Sequence, residues 1–414
     1  MDTGNTAWVL ISAALVLFMT PGLAFFYGGM VRSKNVLGML MQNVFAMGIL
    51  AILWVVIVFS LAFGDAGNGG IIGNFEFAFL KDVTPGAAPG GADSFLGFLT
   101  IPFVLFCAYQ MTFAIITPAL ITGATADRLK FSAYAVFISI WLVVVYGPVA
   151  HWVFGGGFLY ELGALDFAGG AVVHMNAGAA AVAMVILLGV RSGYPETPMR
   201  PHNLPLTVLG TGILWFGWAG FNAGSALAAD GIAAQAIMNT FLAASAAMLG
   251  WLVVETVLSG HATTLGAASG AVAGLVAITP CAGFVGGMAG VYIGLATGAV
   301  CYLALGIKRR FGLDDSLDVI AVHLVGGLLG SLLLGLFADA AINPAVVNEG
   351  LFLGGGLSLL GDQAVASVVT LAYSFVATLI IGLAIKRTMG LRIEPSQEEQ
   401  GLDLSLHAEE AYAS

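Results

Sequence analysis

The chain has 414 residues, of which 59% are hydrophobic and only 9% charged, with a formal net charge of −10. A soluble domain carries about 25% charged residues, so this composition excludes an ordinary soluble or disordered protein, and the acidic balance excludes nucleic acid as a partner, since that needs a basic footprint. Glycine accounts for 57 residues without a Gly-X-Y period, an excess that suits transmembrane helices whose small residues let backbones approach.

A helix that crosses a lipid bilayer needs about 20 mostly apolar residues. Eleven segments meet that condition: 7–29, 36–64, 95–123, 131–153, 164–190, 203–227, 232–257, 263–280, 284–306, 316–338 and 363–386. The eighth is short and rich in Gly and Ala, and the fifth opens with a charge. Long apolar runs, not alternating strands of about ten residues, exclude a transmembrane β-barrel. The Gly/Pro/Ala-rich stretch 65–94 and the stretch 339–362 read as loops. The opening MDTGNTAWVL has no basic residue before its apolar run, so no cleaved signal peptide is expected. The expected organisation is a membrane domain over 1–386 and a polar tail over 387–414. Within the domain lie a first repeat at 7–190, a second at 203–338 and a last helix at 363–386.

Eleven is odd, so the termini lie on opposite sides. Arg32, Lys34, Arg128, Lys130, Arg191, Arg200, Lys308, Arg309, Arg310, Lys386, Arg387 and Arg392 all fall on one side, and only Lys81 on the other. The excess of Lys and Arg marks the cytoplasmic side. The expectation is therefore a multi-pass protein of the inner (cytoplasmic) membrane with its N-terminus outside and its C-terminus inside. The outer side then holds ten acidic residues, Asp93 among them, against one basic. The inner side balances, and Asp166 is left within the protein. An acidic outer field concentrates cations at a pore mouth, although the positive-inside bias alone also strips the outer face of basic groups. Cys107, Cys281 and Cys301 are scattered in apolar stretches and form neither a disulfide framework nor a metal site.

Ten spans plus one divide as two five-helix repeats, the second inverted, with a final helix; such repeats meet around a midplane site in many transporters. The fifth and tenth spans are then equivalent, and each carries one intramembrane histidine: His174 in GALDFAGGAVVHMNAG and His323 in DSLDVIAVHLVGGLLG. Ionisable groups within the bilayer are costly and turn towards the bundle interior. Two histidines at matching depth can share a proton, one ring nitrogen donating and the other accepting. The plainer alternative is two unrelated core histidines, each bonded to a backbone carbonyl. Asp166 stands eight residues before His174. It reads as a helix N-cap or as a carboxylate that binds or deprotonates an entering cation, and the two are compatible.

Trp218, Phe221 and Ser225 share one helix face, as do Tyr109 and Phe113, and Phe154 ends the fourth span. Aromatic faces attract cations, and a serine hydroxyl accepts an N–H hydrogen bond. Core packing or an interfacial aromatic belt is the competing explanation.

The strings GALDFAGGAVVHMNAG, GWAGFNAGSA, FYGGMVRSKN, SGAVAGLVAITP and DVIAVH, with the tail GLRIEPSQEEQGLDL, closely resemble the ammonium transporter (Amt/Mep/Rh) family, in its bacterial and archaeal Amt form. The resemblance runs from about residue 5 to the C-terminus. It implies an all-α homotrimer of eleven-helix subunits in the lipid bilayer, each with its own hydrophobic pore. By motif, Trp218 and Ser225 belong to an outer ammonium site. Tyr109 stands where the family usually has Phe, and Thr279 approaches that site. Phe113 and Phe221 form a gate, Asp166 is the family's essential aspartate, and His174 and His323 line the pore. Phe154 stands where bacterial members usually have Trp; it is the weaker cation–π partner and has no indole N–H.

The implied activity is transport of ammonium, with methylammonium as a possible second substrate. NH4+ is recruited outside and deprotonated, and NH3 passes the pore with net charge movement. The alternatives are an electroneutral NH3 channel and an ammonium sensor acting through a separate partner, since 387–414 is too short for a fused kinase or cyclase. The spans carry no Ser–His pair or HExxH motif, so neither an enzyme, a catalytic residue, a metal nor a cofactor is expected. The tail resembles those of members regulated by PII-type proteins at the cytoplasmic pore mouth; packing against neighbouring subunits is the alternative role.

Overall fold

Hydropathy sets the architecture: in a chain this apolar, backbone polar groups must be satisfied within each segment, and helices do that. The structure, a computed structural model, describes residues 1–65, 70–91 and 94–412. Parts of the 65–94 loop, including Asp93 from the outer acidic tally, lie outside the described residues. Among the described residues, ten helices have the length and apolarity to cross a membrane: α1 Thr3–Met30, α2 Ser33–Phe63, α3 Phe103–Thr125, α4 Phe131–Leu162 (interrupted at Gly155), α5 Gly170–Leu188, α6 Leu204–Ala226, α7 Gly231–Ser259, α9 Ala289–Phe311, α10 Ile320–Phe337 and α11 Ser358–Thr388. The eleventh, α8 Thr264–Ile278, has 15 residues. Its continuation is wrapped by protein, with every residue from Ala268 to Pro280 buried, so its shortness exposes little backbone to lipid. Among the described residues there is no strand, only an isolated bridge between Leu129 and Arg392.

Side-chain caps start several spans. Asp2, Asn203, Asp230 and Thr263 accept from backbone N–H groups three residues on, at 2.8 to 2.9 Å, satisfying donors that a helix start leaves orphaned. Several expected boundaries move, among them the end of the fourth span, now Leu162, and the ninth span, now Ala289–Phe311. Residues 95–102 are turns and coil, and α3 begins only after Pro102, whose ring suits a helix start. Residues 164–169 precede α5 as an irregular segment. α11 starts at Ser358, which shortens the loop expected over 339–362.

One face of the bundle carries the N-terminus and is called here the N-terminal face. There Asp2 N–H donates to the Thr100 carbonyl and Trp8 Nε1 to Ala223 O at 3.1 Å. The opposite, C-terminal face is tied by buried charge. Arg191 donates to both oxygens of Asp314, Nη2 to Oδ1 at 2.7 Å, and also reaches Asp127. Asp127 in turn takes Arg32 and Asn35. Arg128, fully buried, donates to the carbonyls of Asp314 and Gly189. Connections from both halves of the chain thus converge in one cluster. Several of the basic residues that mark the sidedness of the protein are therefore paired inside it, not spread over its surface.

The tail packs beneath this cluster as α12 Pro395–Gln400 and α13 Leu402–His407. Glu398 accepts from Ser192 N and Arg392, Asn35 Oδ1 accepts from Leu402 N, and Asp403 accepts from Gly38 N at 2.8 Å. Asp403 thereby caps the start of α2 from the far end of the sequence. At the last described residues, His202 Nδ1 meets the Val31 carbonyl and its Nε2 meets the Tyr412 hydroxyl at 2.8 Å.

Candidate functional site

α5 and α10 each open with a π-turn, Gly170–Met175 and Ile320–Val325, and each π-turn holds one histidine. In α5 the His174 amide reaches back five residues to Gly169 O. A π-turn rotates the side chains after it relative to an α-helix and is frequent at functional sites. The two helices cross closely at glycines: a Cβ on Gly178 would stand 2.5 Å from Leu324 Cβ, and one on Gly327 would stand 3.1 Å from His174 Cβ. That approach brings the rings together. His174 Nδ1 and His323 Nδ1 are 3.2 Å apart, with ring centroids at 5.3 Å and planes inclined by 26°. One Nδ1 donates and the other accepts, so the pair holds its two rings in different tautomers. Neither histidine follows the plainer expectation of a side chain bonded to a backbone carbonyl.

A column of rings runs from this pair to the N-terminal face. Phe221 stacks on His174 at 5.9 Å and 15°, and Phe113 meets Phe221 edge-on at 4.6 Å. Beyond the Phe113–Phe221 contact lies a vestibule of about 390 Å³ whose lining includes Gln110, Phe113, Phe154, Asp166, Ser225 and Phe284. On the histidine side the passage tightens to a cavity of about 10 Å³ lined by Val173, Leu214, Trp218, Phe221 and both histidines. That is room for about one water-sized molecule.

The expected outer-site residues divide between these two spaces. Phe154, Asp166 and Ser225 line the vestibule. Trp218 does not: it is stacked on His174 at 5.5 Å and lines the inner cavity, below the phenylalanine pair. α6 loses its α-helical form after Asn222, so the i, i+3, i+7 spacing does not carry Ser225 onto the Trp218 face. Thr279 is fully buried and accepts from Trp218 Nε1 at 3.0 Å; it orients the indole. Tyr109 is also fully buried, its hydroxyl 2.9 Å from Gly220 O and 3.2 Å from Ser225 Oγ. Ser225 donates its own proton to Phe221 O at 2.8 Å, which leaves its oxygen as an acceptor at the vestibule wall.

Asp166 accepts four backbone N–H groups, from Gly169, Gly170, Ala171 and Val172, at 2.7 to 3.3 Å. A carboxylate offers about four lone-pair sites, so the backbone takes up its hydrogen-bonding capacity. It is the cap of the α5 π-turn, and it also lines the vestibule.

Two features escaped the sequence reading. Gln110 lines the vestibule one residue after Tyr109, where no periodic pattern singles it out. Asp315 stands eight residues before His323, as Asp166 does before His174. The repeated D-x7-H spacing was the signal for it.

A multi-pass helical bundle enclosing a narrow, mostly apolar passage with paired histidines at its constriction is a membrane transporter. The family model described as Ammonium Transporter Family matches residues 7–412, and the chain belongs to that family. It is 51% identical to an ammonium transporter of Mycobacterium tuberculosis (strain ATCC 25618 / H37Rv), over 99% of this chain and 90% of the relative. Among solved structures it is similar to Saccharomyces cerevisiae Mep2, with a TM-score of 0.88, 36% identity and coverage of 95% of this chain and 88% of that one. It is also similar to a protein titled Sensor Amt Protein, with a TM-score of 0.87, 31% identity and coverage of 97% and 98%.

Proposed function

We propose that the chain takes NH4+ into the vestibule, removes its proton there, and passes NH3 between Phe113 and Phe221 and along the histidine pair, with the proton crossing separately so that net charge moves. The observation that carries this reading is the unbroken column Phe113–Phe221–His174–His323. A bare cation in so apolar a passage loses its hydration without a compensating partner, a cost of many kcal/mol. Ammonia is neutral and small, and a shared proton between two Nδ1 atoms gives charge a route that the cation lacks. K+ cannot lose a proton and is excluded on the same ground. Phe154 and Ser225 bind the cation, by cation–π attraction and by hydrogen-bond acceptance, and Asp166 adds a negative field. Trp218 and Thr279 hold His174 in place from the side.

In this reading the N-terminal face is outside and the C-terminal face cytoplasmic, in the inner membrane. The repeats span 7–190 and 203–338, the last helix 363–386 and the tail 387–414. The functional unit is a homotrimer, the tail surface is where a PII-type protein docks, methylammonium is a further substrate, and no enzymatic step is involved. The similarity to a structure titled as a sensor favours one second reading, ammonium sensing through a separate partner. The test is ammonium-evoked current in proteoliposomes. A saturable current supports charge-coupled transport; ammonia flux without current means an electroneutral channel; binding without flux means a sensor.

A further inference from the structure

The two D-x7-H segments are alike in sequence position but not in hydrogen bonding. Both oxygens of Asp166 are taken by backbone amides. Asp315, a residue 2% exposed, accepts Ile320 N–H on Oδ2 at 2.7 Å and has the Val319 amide nearby, while its buried Oδ1 makes no hydrogen bond of good geometry. A buried carboxylate oxygen without a donor is costly and calls for a role.

Asp315 lies between Asp314 of the C-terminal-face cluster and the first turn of α10, which holds His323, so it stands on the C-terminal-face side of the histidine pair. Tyr27, on α1, lies within electrostatic reach of Asp315 and Asp318, and its hydroxyl donates to Leu120 O at 3.2 Å. Leu120 lines the cavity that holds His323. The other charged groups here are committed. Asp318, on the same loop, pairs with Lys308 of α9 at 2.5 Å, and Asp314 is held by Arg191, with Arg128 beside it. Of the three aspartates before α10, Asp315 is the one with a buried oxygen that lacks a hydrogen bond of good geometry. Burial and the neighbouring Asp318 charge push its carboxyl up, the direction that favours taking a proton.

We propose that Asp315 is the proton acceptor at the C-terminal-face end of the pathway, its Oδ1 taking the proton released from NH4+ at the vestibule and handing it to ammonia as it leaves. The inference rests on the charge-coupled reading above. One N–H bond of NH4+ breaks at the vestibule and yields NH3 and H+. The proton forms an O–H bond on Asp315. That bond breaks when an NH3 takes the proton to become NH4+, and the carboxylate is restored. One NH3 and one proton cross, and one positive charge moves.

The experiment records ammonium-evoked current from purified wild type, Asp315→Asn and Asp315→Glu in proteoliposomes on a solid-supported membrane. Asn keeps an oxygen for Ile320 N–H but offers no titrating carboxylate; Glu keeps the carboxylate. Loss of about tenfold or more in Asn, with Glu within about threefold of wild type, is expected for a proton-transfer group. Undiminished current in Asn overturns the proposal, and so does equal loss in Asn and Glu, which marks a purely structural cap. A wild type that carries ammonia without current overturns both this proposal and the charge-coupled reading, whereas a wild-type current with an indifferent Asn variant overturns this proposal alone. If Asp315→Asn does not assemble, ammonium-induced infrared difference spectra decide between wild type and Asp315→Glu. A carboxylic-acid band that shifts between the two is expected; no such band, or an unshifted one, overturns the proposal.

Discussion

Gly178 and Gly327 each stand four residues beyond a pore histidine, and each lies against the residue that follows the other histidine: Gly178 against Leu324, and Gly327 against Met175. This reciprocal contact sets how closely α5 and α10 cross, and therefore the 3.2 Å between the two Nδ1 atoms. The two sites are not equally tight. A Cβ at Gly178 meets Leu324 Cα at 2.6 Å, whereas the nearest atoms at Gly327 are at 3.1 Å. Gly178→Ala should cost about 1–3 kcal/mol by overpacking, and Gly327→Ala less. Apparent melting temperatures in detergent check the ranking, and the reverse order would contradict it.

His174→Ala and His323→Ala each leave the remaining ring without its Nδ1 partner. Ammonium-evoked current is expected to fall by about tenfold or more in both, as for loss of a proton-transfer group. Full current in either variant removes the histidine pair from the proton route.

Phe154 faces the vestibule where an indole would bind a cation more strongly. Phe154→Trp should lower the half-saturating ammonium concentration about two- to fivefold, the equivalent of ~0.5–1 kcal/mol of cation–π attraction. A concentration curve that coincides with wild type would show that the vestibule does not bind through this ring.

Ser225 and Tyr109 separate contact from support. Ser225→Ala removes an acceptor at the vestibule wall and should raise half-saturation by about three- to tenfold, the worth of one hydrogen bond. Tyr109 donates to backbone carbonyls behind that wall, so in Tyr109→Phe half-saturation should stay within about twofold of wild type. Equal effects of the two changes would overturn the division.

On the C-terminal face, burial by itself would raise the Asp314 carboxyl, but the Arg191 hydrogen bonds and charge outweigh it and hold the group below the ordinary carboxylate value. A depressed carboxyl contributes stability that is fully present above its unfolded pKa of about 3.9 and is lost as pH falls through the lower folded value. Asp314→Asn strands Arg191 and Arg128 and should cost about 3–5 kcal/mol near neutrality. The gap in melting temperature between the variant and wild type should close as pH drops below about 4; a gap that persists there would assign the loss to packing.

The spans were legible because about 20 apolar residues leave a chain no other state in lipid, and the histidines because intramembrane titratable groups are rare. The place of Trp218 was not legible. Its spacing from Ser225 presumes one continuous α-helix, and α6 changes to a 3-10 turn at Ala223. Nor was the difference between Asp166 and Asp315, since identical spacing to a histidine says nothing of how many amides a backbone aims at each carboxylate.

From composition and pattern alone follow a membrane-spanning bundle, the Lys/Arg asymmetry between its two faces, and two histidines at matching points of an odd-numbered repeat. All three are properties of a chain read one segment at a time, because transfer to lipid is close to additive along the sequence. Whether those histidines touch, which aromatic rings stand above the constriction and which below, and which carboxylate keeps an oxygen unbonded depend on how α5, α6 and α10 cross. Those crossings are set by glycine contacts and local π- and 3-10 turns between segments far apart in sequence, and they exist only in the packed molecule.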